Sequence, residues 1–290
     1  MTHTFIDLFA GIGGFHLALH NLGMNCVFAS EIDETARKSY RSNFQDISPN
    51  LFKDNLFNKD IYTLNTDDLP DFNILCAGFP CQPFSQIGKK KGFKENFEGR
   101  GNLFFEILRI IKDKRPDAFF LENVRHLVNH DSGNTFKTIK ESLEEEGYSF
   151  NFKIIKASDF NLPQLRPRTF MVGFDKKIYG NREFNFPDPV PLTVSMSDIF
   201  NGKCNRDVGF TLRVGGRGSA ISDRRNWDGY VVNGKEVRLS PLEGLRMQGF
   251  PDDFILSESK VKSMKLLGNS VAVNVVESIG KNIKSYLEDV

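Results

Sequence analysis

Apolar and polar positions follow two different rhythms along the chain. In the first 175 residues, short β-prone runs at 4–9, 26–30, 72–77, 118–121, 150–156 and 168–174 are separated by stretches with helical spacing at 14–21, 34–43, 101–113 and 135–146. In the last of these, Phe136, Ile139 and Leu143 stand at i, i+3 and i+7, the stripe of a helix with one buried face. Strands alternating with helices predict an α/β fold, a mostly parallel sheet covered by helices. The rhythm breaks at Asp175. Pro and Gly recur at 187–191, Gly202, 215–218, Gly229 and Gly234, and no amphipathic stretch exceeds two turns, so a small, irregular, β-rich unit is expected there. Helical spacing returns over 261–287. The expected organisation is therefore a large domain over 1–174, a second over 175–250, and a helical segment over 251–290 that packs back on the first.

Composition narrows the class. Of 290 residues, 40% are hydrophobic and 26% charged, which excludes disorder as the main state. No apolar run approaches the ~18 residues of a membrane span. The start, MTHTFIDLFAG, lacks a signal peptide's basic region and cleavage pattern, so a cytoplasmic protein with no membrane partner is expected. The four cysteines, Cys26, Cys76, Cys81 and Cys204, are too scattered for a disulfide framework, and no C-x-x-C offers a zinc site. His126 and His130, four apart, read as a polar helix face, and no metal is expected.

The net charge of +1 argues against a nucleic-acid partner only until it is partitioned. Residues 1–80 hold 5 basic and 10 acidic side chains, residues 82–115 hold 9 and 4, and residues 175–250 hold 12 and 9. An acidic amino-terminal part is thus set against two basic segments, which can present positive surface on a neutral protein.

The acidic part carries a candidate cofactor site. The buried-strand pattern at 5–9 runs into Ala10-Gly11-Ile12-Gly13-Gly14, a glycine turn that lets backbone approach a ligand at the start of a helix. Glu31 follows the second strand about twenty residues later, where a carboxylate can accept hydrogen bonds from both ribose hydroxyls. Asp60 and Ile61 follow a third candidate strand and can meet an adenine edge. An acidic site disfavours a phosphate-rich dinucleotide and suits a cationic sulfonium, which points toward S-adenosylmethionine.

A second cluster carries the candidate chemistry. In Gly78-Phe79-Pro80-Cys81-Gln82-Pro83-Phe84-Ser85, two prolines fix the backbone on either side of a cysteine at the end of a strand. The basic, glycine-bearing segment 88–100 beside it suggests closure over an anionic polymer. Glu122, after another apolar strand, can act as an acid toward a ring nitrogen if held protonated. Arg166 and Arg168 stand at i and i+2, one face of a strand, as donors to a base carbonyl or phosphate, with a structural salt bridge as the alternative.

In chain order DLFAGIGG (7–14), Glu31, Asp60-Ile61, GFPCQPFS (78–85), RGNLFF (100–105), ENV (122–124), QLRPR (164–168), RLSPLEGLRMQGFP (238–251) and LGNSVAV (267–273) resemble the DNA (cytosine-5)-methyltransferases of restriction-modification systems over nearly the full length. The resemblance implies a Rossmann-like, S-adenosylmethionine-dependent domain with a small, irregular β-rich target-recognition domain. It implies Cys81 as the nucleophile toward cytosine C6, Glu122 at N3, Arg168 near the base carbonyl and Arg166 beside them. The cofactor pocket would comprise Phe9 against the adenine, Ala10, Gly11, Gly13, Gly14, Glu31, Ile32, Asp60, Ile61, Pro80, Leu103, Asn269, Ser270 and Val271, releasing S-adenosylhomocysteine. DNA contacts would come from Gln82, Ser85, Lys89, Lys90, Lys91 and Arg100 on the closing segment. In the recognition region they would come from Thr211, Leu212, Arg213, Arg217, Arg224 and Arg225.

The expected partner is double-stranded DNA, with a cognate restriction endonuclease as functional counterpart and a monomer as the working form. Three alternatives stay open at this point: an RNA (tRNA) cytosine-5 methyltransferase, a non-catalytic DNA-binding regulator of the same fold, and, disfavoured by its missing glycine spacing, a nicotinamide dehydrogenase.

Overall fold

The run TFIDL forms the first strand, β1 (Thr4–Leu8), and its side chains alternate between two cores, Phe5 entering one and Ile6 and Leu8 the other. A computed structural model describes residues 2–80 and 103–289, and β1 is an interior strand of their sheet, beside the central one. The other strands are β2 (Asn25–Ser30), β3 (Phe57–Asn58), β4 (Ile74–Gly78), β5 (Ala118–Val124), β6 (Asn151–Ile155) and β7 (Arg168–Phe174). Their order is β3-β2-β1-β4-β5-β7-β6. The first five pair in parallel, whereas β7 is antiparallel to both β5 and β6. The short link from β6 to β7 carries no crossover helix, so the chain returns antiparallel.

Helices cover both faces. Phe15 and Leu19 of helix Gly14–Asn21, Tyr40 and Phe44 of helix Glu34–Phe44, and Val276 and Ile283 of helix Val273–Glu288 share a core with Phe5, Cys76 and Phe120. On the opposite face, Phe104 and Ile107 of helix Leu103–Lys114 and Ile139 and Leu143 of helix Asn134–Glu145 pack with Ile6, Leu75 and Phe119. The expected stripe of Phe136, Ile139 and Leu143 thus faces inward. Among the described residues, no helix is long and apolar enough to cross a membrane.

Between 175 and 240 the regular elements are short: helices Lys176–Tyr179 and Met196–Phe200 and a separate hairpin, β8 (Gly229–Val232) with β9 (Lys235–Arg238). Helix Pro241–Gln248 follows, started by a capping box between Ser240 and Glu243 with Pro at its first turn. The expected helical tail is two helices, Lys260–Asn269 and Val273–Glu288, with Ser270 capping the first in extended backbone. That break leaves a short loop at 270–272 whose position matters for the site.

Candidate functional site

Strand order reverses between β1 and β4, so the loops leaving their carboxyl ends splay apart and open a crevice, the usual ligand position in open α/β sheets. On one side of it, β1 is followed by Phe9, which holds a left-handed backbone (φ 54°), and then by Gly11 and Gly13 with φ of 56° and 89°. Gly14 has no room for a side chain, since a Cβ there would lie 2.5 Å from Val271 and 3.1 Å from the Ser270 hydroxyl. The glycine turn is therefore packed directly on the loop at 270–272, which brings two of the expected cofactor segments together.

Glu31, just past β2, is turned into the same place. One carboxylate oxygen accepts the Gly11 N–H at 2.8 Å and the other accepts the Asp33 N–H at 2.7 Å. Burial raises its pKa, and these two main-chain N–H groups oppose the shift. With no ion pair to it among the described residues, such a carboxylate is suited to accept hydrogen bonds from neutral hydroxyls, the requirement of a ribose, so the residues present fit a nucleoside cofactor. Ile32 beside it is 64% exposed, an apolar side chain left open at the mouth. Asp60 follows β3, caps the turn Ile61–Thr63 through the Tyr62 N–H at 3.1 Å, and leads into buried Ile61.

Arg37, to which sequence analysis assigned no role, ties this end together. Its guanidinium lies 4.2 Å over the Phe57 ring and donates to the carbonyls of Glu31 (3.1 Å), Asn58 (2.5 Å) and Phe57 (3.1 Å). An arginine one turn into the helix after an acid-ended strand was the available signal.

Across the crevice, Glu122 near the end of β5 is buried and receives the Arg168 Nε at 3.0 Å. Burial raises its pKa, and the charges of Arg168 and then Arg166 pull it back. Gly78, at the end of β4, joins the two sides: a Cβ on it would lie within 3.8 Å of Glu122, Phe15 and Val271. The Asn123 amide donates to the Phe79 carbonyl at 2.8 Å, fixing the backbone that leads through exposed Pro80 toward Cys81. Cys81 itself, with Gln82, Ser85, Lys89, Lys90, Lys91 and Arg100, lies outside the described residues. Leu103 begins the helix on their far side.

Two arginine expectations change. Arg166 and Arg168 do not share a strand face, because β7 starts only at Arg168 and Pro167 supplies no ladder N–H before it. The guanidinium of Arg166 is 2% exposed as a residue and is spent on main-chain carbonyls of Leu212, Gly268 and Ser270, not turned freely toward a base. Arg217, expected at DNA, is also engaged internally. Its Nε meets buried Asp228 at 3.1 Å and Nη2 donates to the Leu239 carbonyl. Arg225 pairs with Asp223 at 2.7 Å on the surface, while Arg213 and Arg224 are exposed and outside the ion pairs of the described residues. Thr211 is half-buried, Leu212 fully buried and Arg213 exposed, so of these three it is Leu212 whose side chain is closed to a DNA contact here.

A cleft of about 670 Å³ lined by Leu17, Asn161, Arg246, Phe250 and Asn274 contains none of the expected site residues and lies apart from this chemistry. No group of three metal-ligating side chains is found among the described residues.

A Rossmann-like sheet with a glycine turn, an acceptor carboxylate and a facing carboxyl–arginine pair fits a methyltransferase, and sequence comparison supplies the family. The model of the family described as C-5 cytosine-specific DNA methylase matches residues 3–212 and 213–285, and the chain belongs to that family. It is 38% identical to the Type II methyltransferase M.DsaV of Dactylococcopsis salina, over 98% of this chain and 86% of that one. It is 36% identical to M.HhaI of Haemophilus parahaemolyticus, over 98% and 94%. A solved structure described as a putative DNA modification methyltransferase encoded within an E. coli prophage shares the fold, with a TM-score of 0.75 at 21% identity over 99% of this chain and 100% of that chain.

Proposed function

We propose that this enzyme transfers a methyl group from S-adenosylmethionine to C5 of a cytosine flipped out of a short double-stranded DNA sequence, as the methylase of a restriction-modification system. The observation that carries the reading is the buried Glu122–Arg168 pair beside Gly78, close to the carboxyl end of the strand that leads to Pro80 and Cys81. The target base must leave the stack before its C6 face is reachable. The Cys81 thiolate then adds to C6, and the electron pair released onto the ring is stabilised by a proton that Glu122 holds at N3 while Arg168 donates to the base carbonyl. A buried carboxyl with a raised pKa is suited to that role, because it carries the proton at a pH where an exposed glutamate has lost it.

When bound, S-adenosylmethionine supplies the electrophilic methyl that C5 takes up. Glu31, the glycine turn, Asp60, Ile61 and the segment Asn269, Ser270 and Val271 would hold it. Loss of the C5 proton to a base and departure of the Cys81 sulfur restore the aromatic ring. In this reading residues 1–174 bind cofactor and do the chemistry, 175–250 recognise the target, and 251–290 complete the cofactor pocket. The enzyme works as a monomer in the bacterial cytoplasm, opposite a cognate endonuclease.

Labelled methyl donor should mark duplex DNA and leave tRNA unlabelled, and DNA carrying 5-fluorocytosine should trap a covalent complex. Labelled tRNA, or no trapped complex, overturns the reading. Sequencing methylated DNA from an expressing host then supplies the target sequence.

A further inference from the structure

None of those steps uses a buried polar junction formed by Gln164, Arg166 and Gln248, all three inaccessible to solvent or nearly so. Gln164 Oε1 accepts the Leu212 N–H at 2.9 Å, and its Nε2 donates to the Met247 carbonyl at 2.9 Å and to Gln248 Oε1 at 3.2 Å. Gln248 Nε2 in turn donates to the carbonyls of Leu267 (2.7 Å) and Ser270 (3.3 Å). Arg166 closes the figure. Nη1 donates to the Leu212 carbonyl at 3.3 Å, and Nη2 donates to the carbonyls of Gly268 (3.0 Å) and Ser270. Both main-chain groups of Leu212 are therefore held by residues just ahead of β7, and one of these, Arg166, joins Gln248 in holding the end of helix Lys260–Asn269. Gly268 lets the two backbones meet, since a Cβ on it would lie 2.7 Å from the Arg213 carbonyl carbon.

We propose that Arg166 is a positioning residue that couples the two ligands: it locks the recognition segment 211–213 and the cofactor loop 268–271 in one register, so that DNA and cofactor bind cooperatively. The inference rests on the reading of the site given above. A planar fork can satisfy carbonyls on two segments only while both stay in place. Displacing either segment leaves buried N–H groups unpaired, and that cost is large compared with the net value of a hydrogen bond made. A ligand that fixes one segment thereby pre-orders the other, which lowers the ordering cost met by the second ligand. Linkage requires the effect to be reciprocal.

The test titrates S-adenosylhomocysteine into the protein calorimetrically, alone and with saturating duplex DNA carrying the sequence methylated in the expressing host. The ratio of the two dissociation constants should be about fivefold or more for the wild type. In Arg166→Lys, which keeps the charge but replaces the fork with a single point donor, the ratio should fall toward one. Gln164→Met, which removes the acceptor of the Leu212 N–H, should lower it in the same direction and carries the test if Arg166→Lys does not fold. A wild-type ratio of one, or a ratio that survives in the folded variant while both affinities weaken together, overturns the coupling. A wild type that fails to bind S-adenosylhomocysteine or to methylate DNA counts against the site reading. One that does both with a ratio of one counts against the coupling alone.

Discussion

The two ends of the sheet's carboxyl rim bury a glutamate in opposite ways. At the β1–β2 end, the Glu31 carboxylate is desolvated among main-chain N–H groups, from Gly11 and Asp33, and forms no ion pair among the described residues. At the β5–β7 end, Glu122 is desolvated beside arginines, with Arg168 at 3.0 Å. Burial raises both pKa values. What opposes the rise differs: fixed dipoles in one case, side-chain charges in the other. Dipoles of the main chain hold a carboxylate in place as an acceptor for neutral hydroxyls. Charges contributed by side chains set how readily a carboxyl gives up its proton, which is a property of chemistry more than of binding.

If the two ends are separate devices, each should fail alone. Cys81→Ser should lower methyl transfer by roughly 10³-fold or more, with S-adenosylhomocysteine affinity by calorimetry unchanged within about twofold. Loss of both would dissolve the distinction. Glu122→Gln should cost about 10²-fold in single-turnover rate and again spare cofactor binding. The pH profile sharpens this. Because the proposed mechanism uses Glu122 in its protonated form and burial raises its pKa, activity should fall on the alkaline side as pH rises through that pKa. Arg168 lowers the pKa, so Arg168→Ala should move the alkaline limb of the remaining activity to higher pH. A limb that stays put or moves down breaks the assignment.

How much of this is legible in the sequence depends on the range of the interactions involved. Glu31 and the glycine turn are readable because an acid closing an apolar strand, and glycines between strand and helix, take their meaning from their neighbours in the chain. The Arg166 and Arg168 pair misleads for a local reason, Pro167, which keeps β7 from beginning earlier. Gln164 is invisible for a distant one. Its partners are Leu212, Met247 and Gln248, and nothing near it in the chain marks it as the centre of a junction. Charge counting over 175–250 finds the basic surplus but cannot say which arginine is spent inside. Asp228, buried between Arg217 and Arg238, decides that, and burial is not written in a charge tally.

That distinction separates two further effects. Arg217→Ala removes hydrogen bonds to a buried carboxylate and a carbonyl, so it should lower stability by about 2 kcal/mol in denaturant unfolding. Any change in DNA affinity should follow from that loss. Glu31→Gln keeps the shape but weakens the acceptor, and should raise KM for S-adenosylmethionine about tenfold with kcat nearly constant. A fall in kcat of the same size would mean that the acceptor end takes part in the chemistry after all.

The smallest effect tests the outer face of the proposed recognition region. Arg213 and Arg224 are exposed and have no carboxylate partner among the described residues, so their charge is free to meet phosphate. Each phosphate contact releases about one condensed counterion, so Arg224→Ala and Arg213→Ala should each reduce the slope of log affinity against log salt by about one. Unfolding free energy should change by less than about 0.5 kcal/mol for such surface sites. Arg225, held by Asp223 at 2.7 Å, should give a smaller change in slope, because its charge is already partly neutralised. If the slope instead follows Arg217 and ignores Arg224, the internal strut and the DNA-facing surface have been exchanged, and the recognition segment must meet DNA with its other side.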